Sequence, residues 1–190
     1  MLFTHSQPPK RYKDYRLYRS LLRKDFRYRC AYCLRQEFYL GGREGCCIDH
    51  HHPVHGPSGK PLLECEYTNL YWVCRACNEY KADQWPTESE QRQGLRFLDP
   101  CLATDDHDLH WQTLPDGSLL PLTPIGSFTI GILRLDRDAL KHWRSQMFAL
   151  QRQAQLIHQL LERQFPSEQK QYLELQLQEI LIWLEPPHFD

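Results

Sequence analysis

Four of the eight cysteines stand in two C-x-x-C pairs, Cys30/Cys33 and Cys74/Cys77. Thiolates two residues apart on a tight knuckle can share one ion at about 2.3 Å, and two knuckles complete a tetrahedral Zn(Cys)4 shell. Such a shell has no open position, so its ion holds structure rather than activating water. The two cysteine pairs of a zinc ribbon are usually separated by roughly 15–20 residues. The gap from Cys33 to Cys74 is about twice that, so an insertion lies between the knuckles. It carries other chemistry: Asp49-His50-His51-His52-Pro53, then Asn69-Leu70, before the second knuckle runs on into Asn78 and Lys81. A neutral imidazole can take a proton near pH 7. A carboxylate and an amide oxygen can together hold one hard divalent ion that keeps several waters, as Mg²⁺ prefers. Cys46, Cys47, Cys65 and Cys101 lie outside any C-x-x-C pair and suit small buried apolar positions.

The elements that must position these groups follow from periodicity. Residues 1–13, with Pro8-Pro9, read as a flexible arm. From Asp14 to about Asp25 the pattern is helical. Tyr15, Tyr18 and Leu22 share one stripe, and Arg16, Arg19, Arg23 and Arg27 recur on the adjacent one, a face that meets phosphates or is the solvated side of an ordinary amphipathic helix. Gly41–Gly45 is a turn, Cys46–His50 a short strand, Gly56–Pro61 an irregular loop, Leu70–Val73 a second strand, and Cys74–Asp83 helix-compatible. Beyond Trp85-Pro86, His110–Leu114 and Leu119–Leu122 form a hairpin about Pro115-Asp116-Gly117-Ser118, and Thr129–Leu135 reads as a further strand. With Asp136 as N-cap, Leu140, Trp143, Met147, Leu150, Ala154, Ile157 and Leu161 mark a long helix. Phe165-Pro166-Ser167 breaks it, and Leu173, Leu177, Ile180 and Leu184 mark a second. The chain is thus an α+β protein: 1–27 basic arm and helix, 28–85 the metal-braced core, 86–135 a hairpin extension, and 136–190 a helical hairpin.

The ordered run Cys30-x-x-Cys33, Asp49-His50-x-x-Pro53, Asn69-Leu70, Cys74-x-x-Cys77-Asn78-x-x-Lys81 resembles the HNH endonucleases of the subtype whose ββα-metal core is braced by a four-cysteine zinc site. The likeness covers roughly residues 28–83. It implies hydrolysis of DNA phosphodiester bonds to 5′-phosphate and 3′-hydroxyl ends. His50 would be the general base, Asp49 and Asn78 the ligands of a catalytic Mg²⁺ or Mn²⁺, and Asn69 the residue that fixes the base-bearing loop. Many relatives carry an aliphatic residue where His51 stands, so His51 or His52 remains open as an auxiliary phosphate or metal contact. Lys81, one turn beyond Asn78, is placed to meet a phosphate or to be an ordinary solvated helix residue. The C-terminal texture resembles regions of bacterial HNH proteins encoded beside ATPases in phage-defence systems, which implies an ATPase partner. The competing expectation is a zinc-stabilised DNA- or protein-binding module without catalysis.

Composition is compatible with this. The 190 residues, 41% hydrophobic and 25% charged, are enough for a buried core, and no apolar run approaches the roughly 20 residues of a membrane span. The N-terminal stretch has no secretory h-region, which predicts a reducing cytoplasm. The net charge of −1 hides an asymmetry: residues 1–35 hold ten Lys/Arg against two Asp/Glu, a net of +8, and the remainder −9. A basic arm on an acidic body predicts a polyanion such as DNA, engaged locally. One such site cuts one strand, so a double-strand break requires a homodimer or sequential nicking.

Overall fold

A computed structural model describes residues 3–8 and 10–186. The chain forms two compact units, one running to Gln112 and including Leu119–Asp136, the other combining Thr113–Ser118 with the chain from Arg137 onward. The expected segments 1–27, 28–85 and most of 86–135 therefore share one unit.

In the first unit, Asp14 starts the helical region by accepting a hydrogen bond from the Arg16 N–H at 3.0 Å. A 3-10 turn over Tyr15–Tyr18 leads into α1 (Arg19–Asp25), with Tyr18 and Leu22 fully buried. The helix stops at Phe26, because Arg27 and Tyr28 take left-handed conformations (φ 49° and 55°) that turn the chain toward the first cysteine pair. Arg27 thus lies in the turn, off the arginine stripe. The arm is not free, contrary to the sequence expectation. Phe3 is buried against Phe26 with ring centroids 5.0 Å apart, and the His5 Nε2 lies 2.9 Å from the Leu70 carbonyl. Aromatic burial outweighs the Pro8-Pro9 signal there; Pro9 itself lies outside the described residues.

The central hairpin pairs β1 (Cys46–His50) antiparallel with β2 (Leu70–Cys74), in a register that sets Cys46 opposite Cys74 and His50 opposite Leu70. β2 is an unbroken apolar run, buried along its whole length. It passes directly into α2 (Arg75–Lys81), whose first turn is capped by Cys74 Sγ accepting from the Cys77 N–H at 3.4 Å. Both strands and this helix form where periodicity places them. A buried ion pair ties α1 to the hairpin: Arg23 donates from Nε and a terminal nitrogen to Glu37 at 3.0 and 2.6 Å, and the Trp72 indole donates to the same carboxylate at 3.0 Å.

Further on come α3 (Glu88–Arg92), opened by a Thr87/Glu90 capping box, and a one-turn α4 (His107–His110) leading into β3 (Trp111–Thr113), which pairs with β4 (Leu119–Pro121). The strand expected over Thr129–Leu135 is instead the C-terminal part of α5 (Pro124–Ile132) and the turns after it. Thr123 accepts from the Gly126 N–H at 3.0 Å and Pro124 presets the first helical φ, so the cap overrides the β propensity of Thr129, Ile130 and Ile132.

In the second unit, α6 (Asp138–Leu161) and α7 (Ser167–Leu184) pack as a helical hairpin around Ala154, Ile157, Leu177 and Ile180, flanked by Leu150, Leu161, Leu173 and Leu184. The N-cap position of α6 falls on Arg137 rather than Asp136.

His107, buried in α4 edge-on to Trp111, has its imidazole pushed by burial from 6.5 down to about 4. The unfolded chain therefore binds a proton that the fold refuses, and stability is lost as pH falls from about 6.5 toward 4. His107→Phe should remove about 2 kcal/mol of the difference in unfolding free energy between about pH 7.5 and 5. Urea melts of both proteins at the two pH values measure it; an identical pH dependence would contradict the assignment.

Candidate functional site

Cys30, Cys33, Cys74 and Cys77 converge, all four buried, with their sulfurs within 4.8 Å of one another. Cys33 and Cys74 are 3.9 Å apart, close to the edge of about 3.8 Å that a tetrahedron with 2.3 Å metal–sulfur bonds requires. Backbone bonds build the first knuckle: the Cys30 N–H donates to the Arg35 carbonyl at 2.9 Å, the Leu34 N–H to Cys30 at 3.0 Å, and the Ala31 N–H to Trp72 on β2 at 2.9 Å. Leu34 completes the reversal with φ 62°. Hydrogen bonds from its three neighbours hold the Cys74 thiol far below the ordinary thiol range, while burial pushes Cys30 up. A packed sulfur set of this kind could hold a metal ion such as zinc. Among the described residues no cysteine is in a disulfide. Cys46 is fully buried beside β2, while Cys47, Cys65 and Cys101 are partly exposed.

The cluster fixes what surrounds Asp49. Tyr32, between the cysteines of the first knuckle, donates its hydroxyl to Asp49 Oδ2 at 2.6 Å. Lys81, at the end of α2, places Nζ 3.2 Å from Asp49 Oδ1 and 2.6 Å from the His50 carbonyl. Burial pushes the Asp49 carboxyl up, against the opposing pull of Lys81 and the Tyr32 hydroxyl. Asp49, His50 and Asn78 all line one cavity of about 250 Å³, together with Tyr15, His55, Glu64 and Asp83. A carboxylate oxygen has two lone pairs, and one donor reaches each oxygen of Asp49. Asp49, Asn78, Glu64 and Asp83 bring oxygen donors to this lining, the donor type a hard divalent ion takes, while among the described residues the His, Cys, Asp and Glu atoms that lie close enough to share one ion are those of the four-cysteine cluster.

The three histidines part ways. His50 has its Nε2 2.9 Å from the Glu64 carbonyl and its ring edge-on to Tyr15 at 4.8 Å. A carbonyl only accepts, so in the neutral ring Nε2 carries the proton and Nδ1 keeps the lone pair. His51 stacks on Tyr71 at 4.7 Å and meets Trp85 edge-on; burial pushes it down to about 4. His52 packs on Trp85 at 4.3 Å with Nδ1 3.0 Å from the Pro53 carbonyl. Neither His51 nor His52 lines the cavity that His50 lines. Asn69, buried, accepts from the His52 N–H through Oδ1 at 2.8 Å and donates to the His52 carbonyl at 3.0 Å, clamping the turn that ends β1. Asp49 and His50, the last two residues of β1 before that turn, both line the cavity.

The predicted phosphate-contacting residues divide. Arg16 and Arg27 are exposed, and Arg19 is half-buried with its guanidinium 5.5 Å from the Trp72 ring centroid. Arg23, only 5% exposed and paired with Glu37, is a core ion pair and not a surface contact. Lys81 is fully buried against Asp49, so it is neither a phosphate contact nor a solvated residue. Tyr15, His55, Glu64 and Asp83 line the cavity and Tyr32 reaches Asp49 without being among the residues expected at the site; Tyr32 lies inside the first C-x-x-C pair, and the other four stand in no metal-binding or catalytic motif. Gly56 at φ 77° lets the loop approach Asp83, where a Cβ would come within 3.2 Å of the Asp83 Cβ.

Comparison with models of known protein families, with curated proteins and with solved structures yields no match to this chain. No described helix is long and apolar enough to cross a membrane.

Cys74→Ser removes one sulfur from the cluster while leaving a hydroxyl that can still cap α2. It should lower soluble yield and abolish stoichiometric metal. Elemental analysis of the purified protein checks this, and one equivalent of metal retained by the variant would overturn the four-sulfur site.

Proposed function

We propose that this chain is a metal-dependent endonuclease of the HNH type that hydrolyses phosphodiester bonds in DNA, with zinc as the structural ion of the four-cysteine cluster. The observation that carries the reading is that a strand–strand–helix unit, anchored at the cluster, turns His50, Asp49 and Asn78 onto one cavity. Zinc with four sulfur ligands has no open position, so catalysis belongs to the cavity.

The division of labour follows from atoms already described. His50, its Nε2–H committed to the Glu64 carbonyl, offers Nδ1 to take a proton from water. That water attacks phosphorus, the bond to the 3′ oxygen breaks, and the leaving oxygen takes a proton from solvent, giving 5′-phosphate and 3′-hydroxyl ends. Asp49 and Asn78 would hold Mg²⁺ or Mn²⁺, which supplies positive charge for the phosphoryl oxygens when bound. Asn69 fixes the His51–His52 turn and so the aim of His50. Tyr15 lines the cavity and exposed Arg16 follows it, with its guanidinium 5.6 Å from the Tyr15 ring centroid, so a basic group stands where a strand entering the site would run.

Incubation of the purified protein with supercoiled plasmid and Mg²⁺ or Mn²⁺ should give nicked circles. His50→Ala should slow nicking by at least about 100-fold, the usual weight of a general base. Equal nicking by the two proteins would remove His50 from the role; no nicking by the wild type with either ion would favour the non-catalytic binding module.

A further inference from the structure

Lys81 is the residue of the site that motif and exposure leave least explained. A fully buried ammonium is costly unless it is paired, and breaking such a pair leaves an uncompensated charge. Here the partners are the carboxylate that would ligate the divalent ion, at 3.2 Å, and the backbone carbonyl of the proposed base, at 2.6 Å. The Phe97 ring, 6.0 Å from Nζ to its centroid, helps close the ammonium off from solvent. The other oxygen of Asp49 already accepts from Tyr32 at 2.6 Å. Asp49 therefore has a resident monovalent cation, and the pair is together close to neutral. A divalent ion arriving at the same carboxylate meets a positive charge that cannot move into water, in a setting where screening is weak. The remaining carboxylates of the cavity, Glu64 and Asp83, are exposed and offset that repulsion less than a buried partner would.

We propose that Lys81 is a built-in competitor for Asp49, which keeps the cavity's affinity for divalent ions low until a phosphate group adds the negative charge the site lacks. This rests on the nuclease reading for the identity of the phosphate. The same ammonium also ties the end of β1 to the end of α2 through the His50 carbonyl, so Lys81 is a positioning residue and not a catalytic one.

Mn²⁺ titration of the full zinc-loaded chain, read by the electron paramagnetic resonance signal of free Mn²⁺, tests this without turnover. Lys81→Met should bind one Mn²⁺ at least tenfold more tightly than the wild type, and adding Asp49→Asn should abolish the gain. Lys81→Arg, which keeps the charge, should stay near the weak wild-type affinity. If Lys81→Met fails to fold by circular dichroism and zinc content, Lys81→Gln, which retains a donor for the His50 carbonyl, carries the test with the same expected gain. Equal or weaker Mn²⁺ binding by the neutral variants, with wild-type binding still lowered by Asp49→Asn, would overturn the competition while leaving the metal site intact. Absence of any Asp49-dependent Mn²⁺ binding in wild type and variants would overturn both this inference and the metal-dependent nuclease.

Discussion

Four sulfur atoms from two distant stretches of chain set the geometry of the first unit. Cys30 and Cys33 lie on a turn that bonds to Trp72 of β2, and Cys74 and Cys77 join the end of β2 to the start of α2. Buried thiols packed this closely cannot all ionise without a cation, and an ion that neutralises them closes a long loop at once. Two short leads run from the cluster to Asp49. One is Tyr32, inside the first knuckle; the other is Lys81, one turn past Cys77 on the helix that the second knuckle begins. The carboxylate is thus held from both sides by segments whose positions the cluster fixes, and His50, next in sequence and clamped at its carbonyl by Lys81, is fixed with it.

A second polar brace lies on the other side of the hairpin. Glu37 accepts from Arg23 on α1 and from Trp72 on β2, so helix and sheet are joined through one buried carboxylate. Replacing such a pair with apolar residues is often neutral or stabilising, whereas removing one member typically costs about 3–5 kcal/mol. Its value here is directional: the carboxylate admits donors only from set positions, which fixes how α1 lies on β2. The same logic applies at Asp49, where the directed contacts are the ones that shape the cavity.

Much of this was legible in the sequence. The two C-x-x-C pairs, the short strand-like segment Cys46–His50, the apolar run before Cys74 and the long heptad-like stripes are local patterns, and the elements form where those patterns lie. The failures share a cause. Arg23 sits on a basic stripe and Lys81 at an exposed-looking helix end, yet each is buried because an acid distant in sequence, Glu37 or Asp49, waits for it. Thr129–Leu135 has strand composition, but the Thr123–Pro124 cap decides the backbone first. The arm is held by Phe3 and His5 against residues as remote as Leu70 and Pro100, which no window of sequence relates to it. At the site, the histidine run could not say which ring lines the cavity. Asn69 and the end of β1 separate them, and the long-range partners Tyr32, Glu64 and Asp83 carry no signature of their own.

An ion held by the four sulfurs would organise the hairpin and helix that carry Asp49, His50 and Asn78. The most direct measurement is site-resolved amide hydrogen exchange on the reduced protein before and after the ion is extracted with a strong chelator, followed by return of one equivalent of Zn²⁺. Protection at the β1–β2 amides, Asp49 and Tyr71 among them, should collapse in the stripped protein and recover with the added zinc. Unchanged protection in the ion-free protein would contradict the account, since the site's geometry would then be held by something other than the cluster.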